Sequence, residues 1–163
     1  MWRFSCCLLV VSFFVMGCSS GQSRDTPPDI RYGEDICDQC RMIISEARFA
    51  AGYVTTDGRQ RRFDDIGDML LFHAEHAEEV AAFWVHDYKR EEWIRAETAF
   101  FVVSRALPTP MGHGVVAFRN EQQARDLADK VAGKVLRFDD LQEHLVAQHG
   151  STGYRHHHQN QMQ

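Results

Sequence analysis

Apolar positions fall along the chain in three regimes. Phe4 to Val15 is an almost unbroken apolar run, softened only by Ser5, Cys6, Cys7 and Ser12. It is too short for the roughly 20 residues that cross a bilayer as a helix. Ser19 to Tyr32 is polar and carries Gly21, Pro27 and Pro28, the composition of a flexible tether. From Ile36 onward, short apolar runs alternate with polar punctuation. Residues 49–55 and 59–63 read as strands joined across Thr56-Asp57-Gly58, a D-G turn. Asp64 or Asp65 can cap a helix over 66–78, where Ile66, Met69, Leu70 and His73 recur at helical spacing, and 81–86 is again strand-like.

The same order follows a second time. Residues 100–104 and 115–118 read as strands, and Asn120 can cap a helix to Val131 with Ala124, Leu127, Ala128 and Val131 as its apolar stripe. Gly133 stops that helix, 134–138 is a strand, and 139–148 is a closing helix. The expectation is an α+β fold of two small similar ββαβ units over 36–90 and 91–149, followed by a disordered His-containing tail over 150–163. Gly58-x-x-x-Arg62-Phe63-Asp64-Asp65 returns as Gly133-x-x-x-Arg137-Phe138-Asp139-Asp140. That match aligns the second strand of one unit with the third of the other, so it fits a shared strand-to-cap signal as well as a duplication.

With 163 residues, 44% of them hydrophobic, the chain can bury a core as one domain or two very small ones. A formal charge of −5 and no basic cluster beyond Arg59-Gln60-Arg61-Arg62 leave no electrostatic footprint for nucleic acid. No Gly-rich phosphate loop, G-x-S-x-G or Ser/His/Asp arrangement stands out, and the chain reads as a binding protein and not an enzyme.

The first 17 residues read as a signal peptide, because Met1-Trp2-Arg3 and the apolar run end in Val15-Met16-Gly17-Cys18, which resembles the bacterial lipobox. Cys18 is then the lipidation site, and 18–35 is the lipidated N-terminus and linker. The expected place is lipid-anchored to the membrane and facing the periplasm. Ser19 and Ser20 match the outer-membrane setting of such lipoproteins. Processing removes Cys6 and Cys7 and consumes Cys18, which leaves Cys37 and Cys40.

Those two form C-x-x-C, and Met42 extends it to C-x-x-C-x-M, three soft sulfur donors of the kind that select copper(I). Three other readings stay open: a periplasmic dithiol/disulfide redox centre, half of a zinc site completed by His73 and His76, and a structural disulfide favoured by an oxidising compartment. Arg41, beside the pair, is expected to favour the thiolate. Further on, Pro108-Thr109-Pro110-Met111-Gly112-His113-Gly114 presents a thioether and an imidazole on a stiff irregular loop. Met111 and His113 are candidate ligands beside Cys37, Cys40 and Met42. Cys40 is expected to be the principal thiolate.

The C-x-x-C-x-M-x-I stretch, with "RFAAGYVTTDG", "RRFDDIGDM" and "TPMGHGVVAF", resembles the NosL family over about residues 36–146. The resemblance implies two similar ββαβ units, a fold thought to be shared with the MerB family, although this chain lacks the further cysteine that an organomercurial lyase would need. It also implies a copper(I) chaperone that delivers copper for the multicopper centre of nitrous oxide reductase, with that enzyme and an ABC-type membrane complex as partners.

Overall fold

The structure is a computed structural model and describes residues 25–159. Residues 1–24, with the expected signal peptide, Cys18 and the first part of the expected tether, lie outside the described residues, as do 160–163. The fold is α+β. In the first unit β1 (Ala51–Thr55), β2 (Gln60–Phe63), α1 (Ile66–His76) and β3 (Val80–His86) follow one another, and a short β4 (Trp93–Arg95) completes a sheet of order β2-β1-β3-β4. In the second, β5 (Phe100–Val103), β6 (Val115–Phe118), α2 (Glu121–Lys130) and β7 (Lys134–Leu136) build a sheet of order β6-β5-β7. Each unit places its first strand centrally, with the second and third antiparallel on either side.

Local chemistry explains the boundaries. Gly58 takes φ +90° at the hairpin turn, where Asp57 accepts from the Arg59 amide. Asp65 caps α1 by accepting from the Gly67 amide at 2.7 Å, and Asn120 caps α2 by accepting from the Gln123 amide at 3.1 Å. Tyr53, Phe63, Met69, Leu70 and Val85 of the first unit share one core with Phe101, Val115 and Ala117 of the second and with Leu141 and Leu145 of α3 (Phe138–Gln159). The opposite face of the second sheet, with Val102, Val116 and Phe118, packs on Ala124 and Ala128 of α2. Because both its faces are covered, β5 is a continuous apolar run and not an alternating one.

Three expectations are revised. The stretch taken as a linker to residue 35 is tied down from Asp25 as a strap. Asp25 pairs with Arg95 at 2.6 Å, the Asp29 carbonyl accepts from the Arg62 side chain, and Pro28 is buried over Gly52. A Cβ at position 52 would lie 2.8 Å from Pro28, so glycine there lets the strap lie flat. Tyr32 closes the strap. Since His86 Nδ1–H donates to the Ala50 carbonyl at 3.0 Å, its Nε2 accepts from the Tyr32 hydroxyl at 3.1 Å. The second revision is that Trp93–Arg95 belongs to the first sheet, not to a second unit starting at 91. The third is that α3 continues through the expected disordered tail to Gln159, since Gly150 and Gly153 cost a helix only about 1 kcal/mol each and no proline interrupts it.

The repeated R-F-D-D stretch sits at the β2-to-α1 junction in one place and at the β7-to-α3 junction, running into the first turn of α3, in the other. The structural equivalents are β2 and β6, so the match is a strand-to-helix signal and not the register of duplication.

Candidate metal centre

The thiol pair sits in the turn of a tight hairpin. Ile36 and Ile43 bridge in antiparallel fashion, the Cys37 amide donates to the Met42 carbonyl at 2.8 Å, and Arg41 takes φ +64° to close the turn. The hairpin extends the first sheet beyond β2, because the Asp38 amide donates to the Arg62 carbonyl at 2.9 Å and the Arg62 amide returns a bond to the Asp38 carboxylate. Arg31 grips Asp35 at 2.8 Å, and the Ile44 amide donates to the Asp35 carbonyl, so the hairpin stem is fixed at both ends.

Cys37 is fully buried and Cys40 half-buried, and both are free thiols. The donor atoms of Cys37, Cys40 and Asp68 all lie within 4.8 Å of one another. Burial pushes the Cys37 thiol up, opposed by the amides of Asp64, Cys40 and Gln39 that point at its sulfur. Burial pushes Cys40 up to about 12, with only the Met42 amide opposing and with Asp68 and Cys37 adding to the shift. The expected help from Arg41 is not among the main influences on either thiol, and its side chain is exposed. Three amides converge on the Cys37 sulfur and one on the Cys40 sulfur, while burial raises both thiols.

Asp68 is the hub that the sequence reading missed. It is 4% exposed on the first turn of α1 and accepts from the Cys37 thiol at 3.4 Å and from His113 Nε2 at 3.0 Å. Its burial acts to raise its pKa, but the hydrogen bonds from His113, Cys40 and Cys37 outweigh it and hold the carboxylate below its ordinary value. The same bond to Asp68 raises His113, against its own burial. The available signal was a Gly-Asp pair in the first turn of a helix whose next four residues are apolar.

The distant loop reaches this place through α1. Asp65, besides capping, accepts from the Met111 amide at 3.2 Å and from the Thr109 hydroxyl. The His113 ring rests on Gly67, where any Cβ would overlap it. Gly112 and Gly114 both take positive φ to shape the loop. His113 thus joins Cys37 and Cys40 through Asp68, and Met111, half-buried, arrives on the same clamped loop. Met42 does not point inward; it is 54% exposed. His73 and His76 bond to carbonyls of Glu78 and Phe72 at the far end of α1, away from the thiols. The pair also lies in a hairpin turn and not at the start of a helix, the setting that makes a redox thiol reactive.

The arrangement offers two sulfurs, soft donors of the kind that suit copper(I), beside a buried carboxylate that accepts from both thiols, with Cys37 buried and Cys40 partly open. The NosL family model matches residues 31–146. The copper-binding lipoprotein NosL of Stutzerimonas stutzeri is 28% identical over 159 residues, spanning 87% of this chain and 84% of that protein. The crystal structure of the copper chaperone NosL from Shewanella denitrificans superposes with a TM-score of 0.61 at 24% identity, covering 70% of this chain and 93% of that one, a likeness of fold.

Proposed function

The chain belongs to the NosL family, and from that premise we propose that it is a lipid-anchored, periplasm-facing carrier that binds one copper(I) and supplies it for the multicopper centre of nitrous oxide reductase, in concert with an ABC-type membrane complex. It acts as a binding protein, not an enzyme. The observation that supports the reading is the juxtaposition of two free thiols, one buried and one half-buried, around Asp68, to which His113 also bonds. Copper(I) would be held by Cys37 and Cys40 with Met111, and His113 would be available as a nitrogen donor; d10 copper is satisfied by two or three such ligands and leaves a face for exchange. Asp68 would take up the hydrogen bonds that orient the donors, the supporting layer that fixes ligand geometry at metal sites.

Anaerobic copper(I) titration of the full chain against a competing chelator, with sulfur counting by X-ray absorption, tests this. One equivalent with two or three sulfurs is expected, and Cys37→Ala, Cys40→Ala and Met111→Ala should each weaken binding by at least about tenfold. Stoichiometric copper uptake that survives loss of both cysteines would refute it.

A further inference from the structure

Of the three side chains that donate to the Asp68 carboxylate, two are the thiols themselves. Cys37 Sγ donates at 3.4 Å and Cys40 joins it, with the two sulfurs and the carboxylate within 4.8 Å of one another. The third donor is His113 Nε2 at 3.0 Å. Asp68 is 4% exposed, so little water reaches it to replace a partner that is taken away. A carboxylate in such a place is tolerated because of the hydrogen bonds it receives, and each one lost leaves its charge less compensated.

Oxidation of the pair takes away two of these bonds at once. The sulfurs stand three residues apart in one hairpin turn and within 4.8 Å, so a local shift of the turn can close them to the roughly 2.05 Å of a disulfide. In exchange with an external disulfide, the partly open Cys40 sulfur attacks one of its sulfurs and expels the other as a thiol. The buried Cys37 sulfur then attacks Cys40 and expels the second. Two protein S–H bonds and one external S–S bond become one Cys37–Cys40 bond and two external S–H bonds, and two electrons pass outward. Neither sulfur of the product has a hydrogen to give. Asp68 is left with His113 alone of its three donors.

We propose that Asp68 guards the dithiol: by accepting from both thiols where water hardly enters, it favours the free-thiol form of Cys37 and Cys40 and raises the reduction potential of their disulfide. In this role Asp68 acts through the cysteines and is a positioning residue. The inference concerns the empty site, so it goes beyond the copper(I) reading and does not depend on it. It also separates the three buried acids of the junction by task. Asp65 caps α1, Asp64 accepts from the Ser45 amide, and Asp68 alone of the three takes the thiol hydrogen bonds.

The test is a redox titration of the metal-free full chain under argon, in buffers of reduced and oxidised dithiothreitol, with free thiols trapped by alkylation and Cys37 and Cys40 read by peptide mass. Asp68→Ala should favour the disulfide by about tenfold or more in the exchange equilibrium, which for two electrons lowers the potential by about 30 mV or more. Asp68→Asn keeps the shape of the side chain without its charge and should shift the equilibrium in the same direction by less. It carries the test alone if circular dichroism shows that the reduced alanine variant does not fold. Asp64→Asn, at an equally buried acid of the same junction, should leave the equilibrium where it is. Equal potentials in the parent and the folded Asp68 variants, or a shift toward the dithiol, overturn the proposal. An equal shift in Asp64→Asn overturns it too, because the effect would then belong to buried acidity in general. A parent that keeps its thiols free yet binds no copper(I) would remove the function proposed above and leave this inference standing.

Discussion

The two strand-to-helix junctions of the repeated units share geometry and differ in purpose. At the first, Phe63-Asp64-Asp65-Ile66-Gly67-Asp68 leads from β2 into α1; at the second, Phe118-Arg119-Asn120-Glu121-Gln122-Gln123 leads from β6 into α2. Phe63 and Phe118 are both fully buried, and Asp65 and Asn120 both cap. There the parallel ends. Asp64, Asp65 and Asp68 are 3%, 0% and 4% exposed, roofed by the thiol hairpin and by the loop that carries Met111 and His113, whereas Arg119 to Gln122 stand open to solvent. A cap alone is not a site. It becomes one when neighbouring elements desolvate it and give each carboxylate partners, which is what makes a buried acid tolerable.

The largest effect should come from breaking the caps. Asp65→Ala removes the bonds to the Gly67 and Met111 amides together, so unfolding by denaturant should show a loss of about 2–4 kcal/mol, and copper binding should weaken. Asn120→Ala should cost about 1 kcal/mol and leave copper(I) binding alone. Equal losses would mean that the two junctions are energetically alike.

Next comes Gly67→Ala. On an ordinary helix this change stabilises by about 1 kcal/mol. Here the new Cβ overlaps the His113 ring, so the sign should reverse to a loss of about 1–3 kcal/mol, with copper(I) affinity falling as the loop lifts. Stabilisation, read from the thermal midpoint, would show that the loop is not seated on the helix.

The smallest effect is in pH dependence. His113 is raised above its ordinary 6.5 by Asp68, so its contribution is full below 6.5 and is lost as pH rises through the raised value. Asp68 is lowered despite its burial, so its contribution is present above 3.8 and fades as pH falls through the lowered value. The stability difference between the parent and His113→Gln should therefore be larger at about pH 5.5 than at about pH 9. A difference independent of pH would mean that the pair is not charged in the folded protein.

Much of the scaffold was legible because its signals are local. The Asp57-Gly58 turn, the Asp65 and Asn120 caps and the stripe of α2 each act within a few residues, and α1, α2 and the expected strands fell close to their expected bounds. What was not legible depends on distant partners. Pro27-Pro28 carries no periodicity, and only Gly52 beneath it shows that it packs. Asp68 looks like a solvated helix-start acid until positions 37, 40 and 113 are brought to it. Arg41 looked like an electrostatic aid because it is adjacent in sequence, but its positive φ turns the chain and its side chain is exposed.

The attachment of the thiol hairpin along β2 has one more consequence. A sheet edge presents unpaired amides and carbonyls to any passing strand. Asp38, paired with Arg62 through backbone and carboxylate, is what occupies that edge here. Damage that unseats the hairpin, such as over-oxidation of its sulfurs, would uncover Gln60–Phe63 as a template for strand addition. Self-association would then report a spoiled centre.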